Sequence, residues 1–430
     1  MKSFLQRQAV LIRHTWPTFT EHLKSRNWEA IFQLNRKILW KFWNLLFSPV
    51  GLLLVLVMRS ISPWILIRIN VLVSERIGHL AGNTELYLCE QDAGINVPDG
   101  RYIDFWYHNW PISNRQLARM WNRVLHVAPR WLLAPVKMVN ELIPGGEKHL
   151  IGSNSKVDVD VHNLIDRTPP HLSFLPDEDK RGEDGLRKLG VPKKARFVCL
   201  SVRDSSYLNK SVPWKSWNYH DFRDCNIQNY VLAAKKLAER GYYVIRMGAV
   251  VTESMDVEDP MIIDYAANGM RSDFMDIYLA AKCAFSIIGN AGFEAVPYIF
   301  RRPIVYTDHV SLGLIRTDSS RLISTTKKHW LREENRFLTL REILQSDIGF
   351  IWRSYQYKER GIELIESSPE EIAAAALEMD ERLTGVWHSS LEDEELQRRF
   401  WEIFPKNEYH GEIRSYIGAD FLRRHKDWLD

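Results

Sequence analysis

Hydrophobic positions in the second half of this chain fall into short unbroken runs, separated by stretches of helical period. Phe197 to Val202 (FVCLSV), Tyr242 to Met247 (YYVIRM), Ala284 to Ile288 (AFSII) and Ile304 to Tyr306 read as buried strands. Ile227 to Arg240 (IQNYVLAAKKLAER) reads as an amphipathic helix stopped by Gly241, and Phe274 to Lys282 as another. Strands and helices alternating at this spacing predict parallel βαβ units, which bind ligands beyond the carboxyl ends of their strands. Glu370 to Arg382 and Leu391 to Arg399 read as further helices. The first half is less regular. Leu86-Tyr87-Leu88 reads as a strand and Gln116 to Val127 as a helix, while Asp166 to Lys194, rich in Pro, Asp, Lys and Gly, reads as a surface linker or domain boundary.

The N-terminal pattern is different. Leu45 to Met58 is an uncharged run of 14 residues, followed by Arg59, a second apolar stretch from Ser60 to Ile67, and Arg68. A bilayer span needs about 20 residues, and an arginine at mid-bilayer is costly. The run begins too late for a cleavable signal peptide. Trp16, Trp28, Trp40, Trp43 and Trp64 flank it as interfacial aromatics. A monotopic or re-entrant anchor bent at Pro49 and Pro63 is one reading. A buried hydrophobic helix of the first domain is the other.

Composition sharpens this. The chain has 430 residues and a net charge of +3, so two domains are expected. Residues 1–44 hold eight Lys/Arg (Lys2, Arg7, Arg13, Lys24, Arg26, Arg36, Lys37, Lys41) against Glu21 and Glu29, a net of +6. The remainder carries 49 basic and 52 acidic residues, a net of −3. The body is therefore no nucleic-acid binder, while the basic arm suits an anionic membrane surface. Cys89, Cys199, Cys225 and Cys283 are too widely spaced for a metal knuckle or a redox motif.

The candidate chemistry lies at strand ends. After AFSII the chain turns through Gly289-Asn290-Ala291-Gly292 into a helix start bearing Glu294. Free N–H groups there, with glycines that allow close approach, suit a phosphate. After FVCLSV come Arg203, Asp204, Ser205, Ser206, Tyr207 and Lys210, and after YYVI come Arg246 and Gly248. Two guanidinium groups and a helix N-terminus at one edge suit a diphosphate, whose charge grows as its bond to a sugar breaks. Glu294 then turns toward ribose hydroxyls. Each arginine has an alternative partner: Asp204 or Asp224 for Arg203, and an acid on a neighbouring strand for Arg246. No metal is expected, because Asp158-Val159-Asp160 lies outside this sheet. In the first half, Trp106, Tyr107, His108, Asn109 and Trp110 can stack on sugars or bond their hydroxyls, and Ser113, Asn114, Arg115 and Gln116 follow at a helix start. His108 and Asp204 are rival general bases.

PISNRQLARMWNR (Pro111 to Arg123), VRDSSYL (Val202 to Leu208), YHDFRDCNIQNYVLAAKKLAERGYYVIRMG (Tyr219 to Gly248), IIGNAGFEAVP (Ile287 to Pro297) and SYIGADFLRRHKDWL (Ser415 to Leu429) resemble bacterial glycosyltransferases of GT-B type that occur with surface-polysaccharide genes. The VRD strand end also resembles that of GT-B fucosyltransferases, where a strand-end arginine stabilises the leaving diphosphate. This resemblance implies an α/β, GT-B-like fold of two Rossmann-like domains facing a cleft, with the nucleotide-sugar donor held by the second. The expected divisions are a membrane-associating arm and segment (1–70), an acceptor-side domain (71–180), a donor-binding domain (181–385) and C-terminal helices that cross back to the first domain (386–430). The expected donor site comprises Arg203, Lys210, Arg246, Gly248, Gly289, Asn290, Gly292 and Glu294. The expected acceptor side comprises Trp106, His108, Asn114 and Arg115. The expected function is metal-independent sugar transfer to a glycan or lipid-linked glycan at the cytoplasmic face of the inner membrane, by a peripheral or monotopic protein. A nucleotide-sugar epimerase or hydrolase of the same fold, and a non-catalytic assembly scaffold, are the alternatives.

Overall fold

The computed structural model describes residues 28–152, 159–204, 218–405 and 407–430. Most of the basic arm, including Trp16, lies outside them, as do Asp158, Ser205, Ser206, Tyr207 and Lys210.

The first half holds a parallel sheet of β1 (Leu66–Leu72), β2 (Tyr102–His108) and β3 (His126–Val127), in that order. The second half is built on seven parallel strands: β4 (Phe197–Val202), β5 (Tyr243–Met247), β6 (Ile262–Ile263), β7 (Ser286–Gly289), β8 (Ile304–His309), β9 (Leu322–Thr326) and, far along the chain, β13 (Tyr416–Ile417). A small antiparallel sheet of β10 (Lys328–Leu331), β11 (Arg336–Phe337) and β12 (Ile362–Ile365) sits between β9 and β13 in sequence. The order in the large sheet is β13-β9-β8-β7-β4-β5-β6. The chain leaves β4 in one direction to β5 and β6, then returns to β7 on the other side of β4. That reversal makes a topological switch point between β4 and β7, where such sheets bind ligands.

The strands read from unbroken apolar runs are all present, because β4, β7 and β8 are buried on both faces. Two expectations fail. Leu86-Tyr87-Leu88 lies inside the helix Ile77–Asp92, whose Leu80, Ala81, Leu86, Cys89, Glu85 and Glu90 are all buried. A helix enclosed on every side has no polar stripe to reveal its period. The supposed linker contains the helix Pro176–Lys188, opened by Pro176 with Asp177, Glu178 and Asp179 in its first turn. It packs so closely on the helix Asp273–Lys282 that a Cβ at Gly182 would fall 2.2 Å from the Tyr278 ring.

The α/β class with parallel sheets is as the sequence predicts. The two halves share an apolar seam. One apolar cluster joins Leu80, Leu117, Met120 and Trp121 of the first half to Ile277, Val296, Ile299 and Phe300 of the second. β1 begins at Leu66, ahead of the boundary expected at 71. The C-terminal segment adds β13 to the edge of the large sheet beside β9, and touches the first half's chain where Glu412 and Asn163 exchange hydrogen bonds of 2.7 and 2.8 Å.

At the N-terminus the helices Trp28–Leu46 and Ser48–Ser60 are divided by a break, with Pro49 in the first turn of the second. Among the described residues no single helix is long and apolar enough to cross a membrane, but Ile38–Leu46 and Ser48–Ser60, bent by 56°, pass together. The described part of these helices has one buried and one exposed face. Gly51, Val55 and Met58 are buried, and Gly51 lies against the backbone of Pro135. Leu39, Phe42, Leu45, Leu46, Leu53 and Leu56 are exposed, Leu46 by 72%. Arg59 leaves the apolar surface by donating to the carbonyls of Pro144 (2.9 Å) and Ile143 (3.0 Å), beyond the end of the helix Arg130–Leu142.

Candidate functional site

β4 ends at the switch point, and its ladder continues for one bond, from Arg203 N–H to the Gly289 carbonyl at 2.8 Å. This fixes Arg203 beside the turn that follows β7. Its side chain is only 13% exposed, with Nε 3.1 Å from Asp224 Oδ1, one of the alternative partners noted above. A second guanidinium stands beside it, which sequence reading missed. Arg223 donates from Nη2 to the Asn290 carbonyl at 2.8 Å, and among the described residues it forms no ion pair with a carboxylate. Burial, and then the charge of Arg223, hold Arg203 below the ordinary arginine range.

A third guanidinium lies on the other side of the turn. Arg316 sits over the Tyr298 ring at 4.6 Å, and its Nη2 is 3.6 Å from Glu294 Oε1. His309, at the end of β8, is pushed down to about 3 by burial and by the charges of Arg223 and Arg316, and so stays neutral. Arg203, Arg223 and Arg316 thus gather at one end of the sheet, where Asp221 and Asp224 face Arg203, and Glu294 and Asp318 face Arg316. Planar guanidinium forks of this kind suit an anion with several oxygens.

Several expected ligands have other employment. Arg246 is buried, bonded to Asp264 Oδ2 at 2.9 Å and to the Glu253 carbonyl at 2.5 Å. This corrects its placement at the ligand, since Asp264 follows β6 on the neighbouring edge. Asn290 is left-handed (φ 50°), and its Nδ2 is turned inward to the Asp308 carbonyl. Its contribution to the site is the carbonyl that holds Arg223. Gly289 and Gly248 are explained by packing: a Cβ would lie 2.4 Å from Tyr230 Oη at the first and 2.7 Å from Val251 at the second. Gly292 faces open space, and its carbonyl abuts Gly78. The helix after it, Ala295–Ile299, has five residues and is entered through a 3-10 turn. So short a helix supplies little macrodipole, and the weight of anion binding shifts to the arginines. Asp204 binds the loop after β5, accepting from Thr252 N at 2.6 Å and Oγ1 at 2.8 Å.

On the acceptor side, Trp106 is a core residue, edge-on to Tyr87 at 4.9 Å, which corrects its reading as a sugar platform. Asn114 is fully buried, capping the helix Arg115–Val124 through Leu117 N–H and donating to the Asp273 carbonyl at 2.9 Å. Arg115 contributes a main-chain N–H to Asp273 Oδ2 at 2.8 Å. Both act at the seam between the halves. His108 is the exception. It lies at the end of β2, bonds Asn122 Oδ1 through Nε2 at 2.8 Å, and lines a pocket of about 430 Å³ with Arg36, Trp40, Trp110, Arg130 and Trp131. Burial lowers its pKa, so it is neutral at physiological pH.

No family model and no curated protein matches this chain. Solved structures with a similar arrangement do exist. ADP-heptose LPS heptosyltransferase II of E. coli is 14% identical, over 56% of this chain and 84% of that one, with a TM-score of 0.33. A family 9 glycosyl transferase from Veillonella parvula is 11% identical, over 56% and 80%, with a TM-score of 0.35. TibC, described as an iron-containing dodecameric heptosyltransferase in complex with ADP-D-β-D-heptose, is 14% identical, over 58% and 59%, with a TM-score of 0.31. These neighbours are glycosyltransferases. The superpositions are partial.

The expectation that no metal is involved needs correction. TibC is described as iron-containing, and here Glu85, Cys89 and His171 bring ligand-type atoms within 4.8 Å of one another. The trio already holds a cation. Arg301 Nη2 is 2.6 Å from Glu85 Oε1, and His171 joins Glu85 (3.0 Å) to Asp92 (3.1 Å). Burial alone would lower His171, but bonds to Cys89 and Glu85 raise it to about 10. A metal ligand must be a neutral imidazole. In this arrangement the trio does not fit an ion unless Arg301 moves away.

Proposed function

We propose that this chain is a glycosyltransferase that takes a sugar from a nucleotide-sugar donor and passes it to a glycan or lipid-linked glycan at a membrane surface. The observation that carries the reading is the pair Arg203 and Arg223 at the switch point of a seven-stranded parallel sheet. A diphosphate placed there would meet two planar donor forks, and the charge it gains on leaving the sugar would be stabilised where it develops. Glu294, held by Arg316, remains the candidate for the ribose. On the acceptor side the candidate base is His108. It would take the proton of the acceptor hydroxyl as that oxygen bonds the anomeric carbon, while the bond to the diphosphate breaks with its electron pair going to phosphate. Asp204 is the weaker candidate because Thr252 occupies both of its oxygens.

Thermal stabilisation by a panel of nucleotide sugars tests the donor. One nucleoside diphosphate sugar should raise the Tm, by about 2.7 kcal/mol of linkage at one hundred times its Kd, and Arg203→Ala should lessen the rise. If no nucleotide sugar stabilises the chain, the reading fails.

Membrane attachment rests on the exposed apolar face of the two N-terminal helices. We expect the full chain to float with phosphatidylcholine vesicles. Leu39→Asp/Phe42→Asp/Leu46→Asp should reduce the floating fraction at least tenfold, since burial of each such side chain is worth about 1.5–3 kcal/mol. Undiminished flotation of the triple variant would disprove this attachment.

A further inference from the structure

We infer that the pocket between the first N-terminal helix and the end of β2 binds the phosphomonoester head of a membrane lipid, which docks the chain where the acceptor lies. This rests on the membrane reading above and extends it to the chemistry of the lipid.

Arg36, Trp40 and Trp43 recur at helical spacing along Trp28–Leu46 and face the protein. Arg36 lies over the Trp110 ring at 4.7 Å, and Trp43 Nε1 donates to the Trp131 carbonyl at 3.2 Å. Arg130, the first residue of the helix Arg130–Leu142, lies over the Trp40 ring at 4.6 Å. The two guanidiniums both line the pocket, each over an indole ring. Among the described residues neither forms an ion pair. Burial lowers the pKa of both, and Arg130 lowers that of Arg36 further, the mark of two like charges close together. Glu75 is the acid whose field reaches Arg130; its Oε1 accepts from Asn109 Nδ2 at 2.8 Å, and it offsets part of the positive charge without pairing with either guanidinium. Two guanidiniums that pair with no carboxylate suit a phosphomonoester, which offers three acceptor oxygens.

The setting points to a lipid. On the same helix, Leu39, Phe42 and Leu46 turn outward and are 66%, 65% and 72% exposed. Trp110 and Trp131 stand half-exposed at the rim, where indoles sit at headgroup depth. A lipid lying against this helix would bring its terminal phosphate to the pocket mouth, the pocket that His108 also lines.

The test uses the full chain without donor, in flotation against three vesicles: phosphatidylcholine, phosphatidylcholine with one-tenth phosphatidate, and the same with phosphatidylglycerol matched in charge. Phosphatidate should tighten binding about tenfold beyond phosphatidylglycerol, because only its phosphomonoester offers three free acceptor oxygens to the two guanidiniums. Arg36→Gln/Arg130→Gln should remove that excess and still float with phosphatidylcholine. Arg130→Lys should keep part of it. An equal gain from phosphatidylglycerol, or a gain that survives in the double variant, overturns the inference. A rise in Tm with 10 mM inorganic phosphate equal to that with dihexanoyl phosphatidate also overturns it, by assigning the pocket to a free anion. Soluble dihexanoyl phosphatidate separates the two levels of argument. If it raises the Tm of the wild type but not of the double variant, the pocket stands even where flotation fails. If it raises neither, the pocket falls alone.

Discussion

Arg203→Ala and Arg223→Ala should each lower kcat for sugar transfer by 10²- to 10³-fold, the loss seen when one fixed stabiliser of transition-state charge is removed. Both side chains stand at the switch point, and both are fixed before any ligand arrives: Arg203 by its main-chain bond to Gly289 and by Asp224, Arg223 by the Asn290 carbonyl. Preorganisation of this kind places the effect in kcat more than in KM, because the diphosphate needs the charge most as the glycosidic bond breaks. Lysine should rescue poorly at either position, since a point charge cannot reproduce a planar fork. The double variant should fall short of the product of the two losses, since adjacent charges on one ligand are coupled. Asp224→Asn gives the complementary test. It frees Arg203 without removing it, so activity should fall far less than in Arg203→Ala. Steady-state kinetics with the donor found by thermal shift would measure all six. A kcat within about threefold of wild type for both single alanine variants, far short of the expected loss, would remove these arginines from the mechanism.

How much of this was legible follows from what each residue touches. β4, β5, β7 and β8 could be read directly, because strands enclosed by helices on both faces are unbroken apolar runs. Arg203 could be read because it follows such a run. Arg223 could not. It closes a 3-10 segment, Asn218–Arg223, that no strand end announces, and it reaches the site only because left-handed Asn290 turns its carbonyl outward. Arg246 failed for the opposite reason. Its place within β5 was legible, but its partner Asp264 arrives from the loop after β6, a two-residue strand. Trp106 looked like a sugar platform in an aromatic string, yet β2 alternates faces and turns it to the core beside Tyr87. The pocket around His108 escaped the sequence because two of its walls, Arg36 with Trp40 and Arg130 with Trp131, are about 90 residues apart in the chain.

The largest expected effect on stability lies at the seam between the halves. Glu85→Gln should destabilise the fold by about 3–5 kcal/mol, the usual cost of stranding one partner of a buried ion pair. Glu85 is fully buried in the helix Ile77–Asp92, and Arg301 reaches it from beyond the helix Ala295–Ile299 with a side chain only 8% exposed. Arg301 also donates to the Thr168 carbonyl at 3.0 Å and the Pro169 carbonyl at 2.8 Å. One guanidinium therefore ties three segments together, and the loss should appear in the urea midpoint of the whole protein. Replacing both partners, as Glu85→Gln/Arg301→Met, should recover much of it, because no buried charge is then left alone. The exposed pair Arg398 and Glu402 is the contrast, and Glu402→Gln there should leave the midpoint unchanged. His171 adds a pH dependence of known sign. Its folded pKa is raised to about 10 from the ordinary histidine value of 6.5, so its contribution is fully present below the unfolded value and is lost as pH rises through the folded one. Stability should therefore decline between pH 7 and pH 10 more steeply in the wild type than in His171→Gln. Equal slopes would mean that Arg301 alone holds Glu85, with the imidazole a bystander.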